Sequence, residues 1–205
     1  MEEKWLSWAK QIQAHAQNGL AYAENPFDRE RYQQLRDLSV EIMQHYTEAG
    51  CDTITDLFCN ETGYQTPKVD VRGAVFKDGK VLLVKERQDG KWSLPGGWAD
   101  IGLSVKENVK KEVLEEAGMT VEPIRLVAIL DWIKEEHRCA CPFSMYKIFM
   151  LCNLVGGAYQ ENIETEDAQF FGMDELPELT HKISKEAIEM CYQAWCKPYW
   201  QPVVD

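Results

Sequence analysis

The chain has 205 residues, 45% of them hydrophobic and 27% charged, which is the balance of a soluble globular chain with one ordinary core plus a small accessory unit. There are 22 basic residues against 34 acidic ones, leaving a formal net charge of −12. A surface of that sign excludes duplex nucleic acid as the main partner unless basic residues are gathered locally, and it also suits a site that concentrates carboxylates around a hard cation. No apolar run approaches the roughly 20 residues of a membrane span. The opening Met1-Glu2-Glu3-Lys4-Trp5 lacks the basic-then-apolar order of an export signal, so the expected location is the cytoplasm.

From Trp5 to Ala23 the apolar residues Trp5, Trp8, Ile12, Ala16, Leu20 and Ala23 recur at steps of three or four, which predicts an amphipathic helix. After Asn25-Pro26 a second helix is expected with Tyr32, Leu35, Leu38, Ile42 and Tyr46 on its stripe, Asp28 as N-cap and Gly50 at its end. Two such helices bury little between themselves, so their stripes are expected to pack on the rest of the chain or on a second copy as a homodimer. An equal alternative makes Trp5 and Trp8 core aromatics of an N-terminal cap. The polar stretch over residues 60–68, with Gly63 and Pro67, reads as a linker, giving a helical domain over 1–65 and a second domain over 66–205.

Beyond Pro67 the pattern becomes extended. Val69 to Phe76 and Val81 to Val84 predict two strands joined by a hairpin turn at Asp78-Gly79. A loop containing Pro95-Gly96-Gly97 leads to a helix from Val105 to Ala117, closed by Gly118. Long strands are expected from Val121 to Ile133 and from Phe143 to Leu154. A short strand at Phe170-Phe171 precedes a last helix capped by Ser184. The fold class is α+β: a mixed sheet with helices on its faces, preceded by the helical hairpin. Seven cysteines in such a chain read as reduced thiols. His137, Cys139 and Cys141 lie close together, but the spacing lacks a second pair and is better read as idle thiols than as zinc ligands.

The chemistry concentrates in the helix after the glycine loop. Glu112, Glu115 and Glu116 are spaced i, i+3 and i+4, so their carboxylates share a face within about 6 Å. Mg2+ or Mn2+ would neutralise them; the alternative is a solvated acidic face softened by Lys110 and by Lys111 pairing with Glu107 or Glu115. Ser104-Val105-Lys106-Glu107 is a capping box that fixes the helix start, and Val109, Val113 and Ala117 anchor it to the sheet.

The run from Gly97 to Met119, ending Lys111-Glu112-Val113-Leu114-Glu115-Glu116-Ala117-Gly118-Met119, resembles the Nudix box, in which a Gly and a Glu precede Arg-Glu-aliphatic-x-Glu-Glu-x-Gly-aliphatic. Leu94-Pro95-Gly96-Gly97 resembles the stretch that leads into it. Leu103 stands in place of the first Glu and Lys111 in place of the Arg, which removes the internal support usual between those positions; Glu107 is a candidate replacement. The resemblance spans most of residues 68–196 and implies a Nudix fold, an α/β/α sandwich that cleaves a nucleoside diphosphate linked to another group. The helical segment and the Gly-Gly-Trp-Ala-Asp-Ile-Gly-Leu-Ser variant resemble a bacterial subgroup that includes CDP-choline pyrophosphatases.

That resemblance implies metal ligation by Glu112, Glu115 and Glu116, with the main-chain carbonyl of Gly96 or Gly97, and a catalytic base drawn from Glu115, Glu116, Glu164 or Glu166. Arg72 is the expected phosphate clamp, with a structural ion pair to Asp70 or Asp100 as its rival. Lys85 and Arg87 share a strand face beside it. Trp98 is placed to stack on a base or to pack the loop. A choline group would need an aromatic face near negative charge, for which Trp132, followed by Glu135 and Glu136, and Tyr146 are candidates. The alternatives are hydrolysis of ADP-ribose, another nucleotide sugar or short single-stranded RNA, and a non-catalytic nucleotide-sensing module.

Overall fold

The computed structural model describes residues 3–48, 50–132 and 143–205. His137, Cys139, Cys141, Glu135 and Glu136 lie outside them. The described chain forms two compact units, the first from Glu3 to Pro67 together with Phe143 and Ser144, the second from Lys68 to Trp132 and from Met145 to Asp205.

The first unit holds α1 (Lys4–Tyr22), α2 (Pro26–Tyr46) and α3 (Cys51–Phe58). Asn25, not Asp28, caps α2: Pro26 is preset for the first helical position, and the Asn25 side chain accepts from the Phe27 N–H at 2.9 Å. Asp28 instead pairs with Arg31 at 2.6 Å in the first turn. Gly50 does not end α2, which stops at Tyr46; it opens α3, a helix that the sequence reading did not include. Gly19 lets α1 and α2 close on each other, because a Cβ there would overlap the Tyr32 ring.

The buried faces are also rotated from those expected. Leu6, Ala9, Val40, Met43, Ile54, Phe58 and Cys59 form the core of this unit, while Trp8 is 58% exposed and Leu38 and Tyr46 are 44% and 56% exposed. The reason is α3, which takes one side of the hairpin. The chain that follows it meets α1 through buried glutamines: the Cys59 thiol donates to Gln13 Oε1 at 3.3 Å, and Gln17 donates to the Gly63 carbonyl at 3.1 Å. The richer apolar stripe is thereby left on the surface.

The second unit is a mixed sheet of seven strands: β1 (Lys68–Lys77), β2 (Lys80–Glu86), β3 (Trp92–Ser93), β4 (Met119–Asp131), β5 (Met145–Gly157), β6 (Thr165–Gly172) and β7 (Val203–Val204). Its order is β3-β2-β1-β5-β4-β7, with β6 also on β2. Strand β1 runs parallel to β5 and antiparallel to β2, with the turn between them at Asp78 (φ 51°) and Gly79 (φ 79°). Side chains alternate along β1. Val71 and Val75 join the core beneath α4 (Val105–Ala117), where Gly73 admits Val113, and Phe76 stacks on Trp195 of α5 (Lys185–Cys196) with ring centroids 5.4 Å apart. Val109, Val113 and Ala117 are fully buried, as the stripe on α4 required. Among the described residues no helix is long and apolar enough to cross a membrane.

Strand β7 and the stretch before it form a strap over β4. Arg125 donates to the carbonyls of Ala194, Lys197 and Pro198 at 2.9, 2.9 and 3.0 Å, the Trp200 indole donates to the Val127 carbonyl at 2.9 Å, and β7 pairs parallel to β4. Three carbonyls at a helix end lose their donor together if this guanidinium is removed. Arg125→Met should therefore lower the unfolding free energy by about 1–3 kcal/mol in urea melts, with the m-value unchanged.

Candidate active site

Helix α4 is held at both ends. Ser104 Oγ accepts from the Glu107 N–H at 3.3 Å while the Glu107 carboxylate accepts from the Ser104 N–H at 2.8 Å, and Gly118 ends the helix in the left-handed region at φ 66°. With α4 fixed by its apolar stripe, Glu112 and Glu116 turn inward and are buried, and Glu115 is exposed.

Opposite them, the loop Leu94–Gly97 lies along β1. The Gly73 N–H donates to the Pro95 carbonyl at 2.9 Å, and the Val71 N–H donates to the Gly97 carbonyl at 2.8 Å. Between these contacts Gly96 sits at φ 143°, where a Cβ would run into the Val71 carbonyl oxygen. The Gly96 N–H donates to Glu116 Oε2 at 2.8 Å, and a Cβ on Gly97 would stand 2.9 Å from Glu112 Oε2. Both buried carboxyls thus press on the double glycine. The Gly97 carbonyl accepts from β1 and keeps a second lone pair.

Burial, above all, pushes the Glu116 carboxyl up to about 8; Arg72 and the Gly96 N–H oppose this, while Glu86 and Glu112 add to it. Burial likewise raises Glu112, with Lys111 acting against it and Glu115 and Glu164 reinforcing it. Lys111 sits among the carboxylates, 2.8 Å from Glu115, 3.1 Å from Asp100 and 3.4 Å from Glu112. Its own pKa is raised by hydrogen bonds to Glu115 and Asp100. Glu107 is taken up by the capping box, so the link between Lys111 and the loop ahead of α4 runs through Asp100.

Hard oxygen donors, carboxyls whose charge is disfavoured by burial and by each other, and an ammonium already drawn in among them fit a divalent cation. Among the described residues no three acidic, His or Cys side chains already stand in ligation geometry. Glu115 is the side chain turned aside, onto Lys111.

The loop before β6 closes another side. The Arg87 N–H donates to the Glu164 carbonyl at 3.0 Å, Arg87 Nε donates to the Asn162 carbonyl at 3.0 Å, and Arg87 lies 3.6 Å from Glu161. Glu164 is exposed and acts electrostatically on Glu112. Glu166 is engaged by Lys85 at 2.9 Å, so these two expected site residues are partners of each other.

Of the two readings of Arg72, the geometry matches the ion pair with Asp70: Arg72 is 2% exposed, its Nε and Nη2 each bond Asp70 at 2.8 Å, and Nη1 donates to the Leu94 carbonyl at 3.0 Å. Alternation along β1 turns it inward under the glycine loop. Trp132 is buried as well. It is 1% exposed, and Lys147 Nζ already lies over its ring, 4.7 Å from the centroid. Tyr146, on β5, is 44% exposed, and Trp98, which bridges to Asp70 of β1, is 50% exposed.

The structure adds residues that the sequence did not single out. Lys147 is fully buried, with Nζ 3.3 Å from Asp70 and donating to the Lys182 carbonyl at 2.8 Å. Lys182 in turn pairs with the buried Glu86 at 2.7 Å. Asn162 and Thr165 both donate to the main-chain carbonyl of Glu116. A lysine or glutamate in a nearly all-apolar strand was the available signal for Lys147 and Glu86, and Asn-x-x-Thr in a turn was the signal for the last pair.

Comparison with known proteins agrees with this geometry. The NUDIX domain pattern matches residues 66–191, and a UDP-X-like, N-terminal oligomerisation domain matches residues 3–58. The chain is 50% identical over 182 residues to a putative ADP-ribose pyrophosphatase, YjhB, of Bacillus subtilis, covering 89% of this chain and 87% of that one. Among solved structures, an ADP-ribose pyrophosphatase from Streptococcus suis is 48% identical with TM-score 0.63, covering 68% of this chain and all of the other. A UDP-X diphosphatase is 32% identical with TM-score 0.63 over 98% of both chains. With the box carboxylates on α4 facing the glycine loop and the domain pattern covering more than half its length, this chain belongs to the Nudix family and is a Nudix hydrolase with an N-terminal UDP-X-like oligomerisation domain.

Proposed function

We propose that this hydrolase cleaves the pyrophosphate of a nucleoside diphosphate joined to a second moiety, with ADP-ribose the leading substrate, and that Glu112, Glu115, Glu116 and the Gly96 carbonyl hold Mg2+ or Mn2+. The observation that carries the reading is the meeting of two buried carboxyls, Glu112 and Glu116, with the Gly96-Gly97 backbone. The cation, when bound, supplies positive charge to the pyrophosphate oxygens and makes a water acidic enough to attack phosphorus.

The chain supplies the rest. Lys111 gives up Glu115 as the carboxylates are neutralised and keeps Asp100, so the loop ahead of α4 stays in place. Glu164, exposed and close enough to Glu112 to raise it, takes the proton of the attacking water. The P–O bond to the bridging oxygen breaks, releasing a nucleoside monophosphate and the phosphorylated second moiety. Trp98 offers a half-exposed indole after the double glycine for stacking on the base. Arg87 and Lys85, 40% and 35% exposed at the side chain, offer the positive groups nearest the Glu161–Glu166 loop.

CDP-choline fits less well. A quaternary ammonium takes an aromatic face, and of the two candidates Lys147 holds the Trp132 face, which leaves Tyr146 for that task. The names of the relatives, ADP-ribose pyrophosphatase and UDP-X diphosphatase, point to the same ordering. The N-terminal unit is proposed to join two copies through the stripe that α3 leaves exposed: Trp8, Leu35, Leu38 and Tyr46. A cytoplasmic setting accompanies this, with Cys59, Cys152 and Cys191 buried as free thiols.

The deciding assay is monophosphate release from ADP-ribose, a UDP-linked sugar, CDP-choline and short RNA, with Mg2+ or Mn2+ and with chelator. ADP-ribose should be preferred, chelator should abolish release, and Glu116→Gln should lower kcat on the order of a thousandfold in a protein that melts normally. Preference for CDP-choline would overturn the substrate ordering, and full activity of Glu116→Gln the ligand assignment.

Cation binding requires the Glu116 carboxylate, which in the free protein holds its proton up to about pH 8. Loading therefore displaces a proton below that pH. The apparent Mn2+ affinity, measured by titration calorimetry, should rise about tenfold per pH unit toward 8 and level off above it.

Oligomeric state provides a separate check. Sedimentation should show a dimer for the wild-type chain and a monomer for Trp8→Glu combined with Leu38→Glu, since like charges on a desolvated face oppose association.

A further inference from the structure

The carbonyl of Glu116 lies in the last turn of α4, where it has no partner within the helix. It is taken instead by two side chains from the loop before β6: Thr165 Oγ1 donates to it at 2.7 Å and Asn162 Nδ2 at 3.2 Å. Thr165 is fully buried, so its hydroxyl has no water to turn to. Asn162 does a second task with its other end: Oδ1 accepts from the N–H of Glu164 at 2.9 Å and of Thr165 at 2.7 Å, which folds the loop back on itself with Glu164 at its outer edge. Tyr159 adds a bond from its hydroxyl to the Thr165 carbonyl at 3.0 Å. Just past the end of α4, Gly118 packs so closely on the Ala158 carbonyl that no Cβ would fit. A single residue of α4 thus faces the glycine loop with its carboxyl and grips the Glu164 loop with its main chain.

We propose that Asn162 and Thr165 are positioning residues that fix Glu164 relative to the carboxylates of α4 by sharing the main-chain carbonyl of Glu116. They touch neither substrate nor cation and act on the reaction through Glu164, so the inference rests on the reading of Glu164 as the base. The arrangement makes the distance between base and metal ligands a property of one short connection, whereas the outer part of the loop is exposed, with Ile163 at 90% and Glu164 free to meet a water. Arg87 anchors the same loop from β2, through its N–H to the Glu164 carbonyl and its Nε to the Asn162 carbonyl, but it does not touch α4 in doing so.

A double-mutant cycle tests this. Thr165→Val keeps the buried shape and removes the donor; it should lower kcat about tenfold with KM unchanged and with Mn2+ affinity, read by electron paramagnetic resonance, also unchanged. Thr165→Ser, which keeps the hydroxyl, should restore turnover. Asn162→Ala should behave like Thr165→Val, and serves if that variant folds poorly. In a Glu164→Gln background Thr165→Val should cause no further loss of kcat, because the group it positions is already gone. Losses that multiply in the double variant, or a weakened Mn2+ affinity in Thr165→Val alone, would overturn the positioning role while leaving Glu164 as base. Wild-type kcat in Glu164→Gln would instead overturn the base itself, and the positioning role with it.

Discussion

The contact between the Glu116 carboxyl and the Gly96 N–H is the joint on which the site depends. It is one hydrogen bond of 2.8 Å, yet it fastens the helix that carries the carboxylates to the glycine loop. The loop can come that near only because Gly96 adopts φ 143° against the Val71 carbonyl, a conformation closed to a side chain. The helix can present the carboxyl there only because Gly73 leaves room for Val113. Glycine on the strand and glycine in the loop thus serve one geometry from two sides. The charge of Glu116 is disfavoured at this depth, which makes the same joint a proton-holding place and, in the proposed reading, a ligand once a cation displaces that proton.

Beneath the joint lies a set of buried charges that no substrate reaches. Arg72 forks onto Asp70 and reaches up to Leu94, Asp70 also takes Lys147, and Lys147 leans on Trp132 and on the Lys182 carbonyl. Removing such ions from water costs several kcal/mol apiece before pairing offsets it, so the array is poor value as a source of stability alone. What it provides is direction. The Arg72 guanidinium can bond both Asp70 oxygens and the Leu94 carbonyl in only one orientation, and that orientation sets the height of the glycine loop above β1. It also places a fixed positive charge under Glu116, without which burial would raise that carboxyl further.

The sheet, the helix α4 and the box carboxylates were legible in the sequence because each rests on local chemistry: alternation, a capping box, a left-handed glycine and i, i+3, i+4 spacing. What the sequence hid depends on which face meets which partner. The stripe of Trp8, Leu35, Leu38 and Tyr46 reads as a buried face by periodicity, but α3, with its apolar Ile54 and Phe58, covers the other side. Arg72 and Trp132 have the chemistry of ligand-binding groups; Asp70, two residues from Arg72 on the same strand face, offered the ion pair as a rival reading of the sequence, whereas nothing along the chain near Trp132 reveals that Lys147 has claimed its ring. Lys147 is on β5 and Lys182 lies ahead of α5, so the array exists only once β1 has paired with β5. The strap of β7 was missed for a similar reason, since Val203-Val204 carries almost no strand signal until β4 offers an open edge.

The departures at Leu103 and Lys111 follow from the same reasoning about partners. With the Leu103 side chain 40% exposed and without an acceptor, the Lys111 ammonium on α4 needs another carboxylate to tie it to the preceding loop. Asp100 supplies one at 3.1 Å and is itself held, its N–H donating to the Asn108 side chain at 2.7 Å. Asn108 is buried and returns donors to the Leu103 and Ser104 carbonyls, each at 3.2 Å, so the loop is bound to the first turns of α4 by an amide where an ion pair would otherwise be needed. A lysine suits this position better than an arginine would. Its flexible point charge meets Asp100, Glu112 and Glu115 at once and can release Glu115 without giving up a fixed fork. The exchange therefore transfers loop support to Asp100 and Asn108, and Glu115 is held by a single ammonium that the proposed cation would have only to displace.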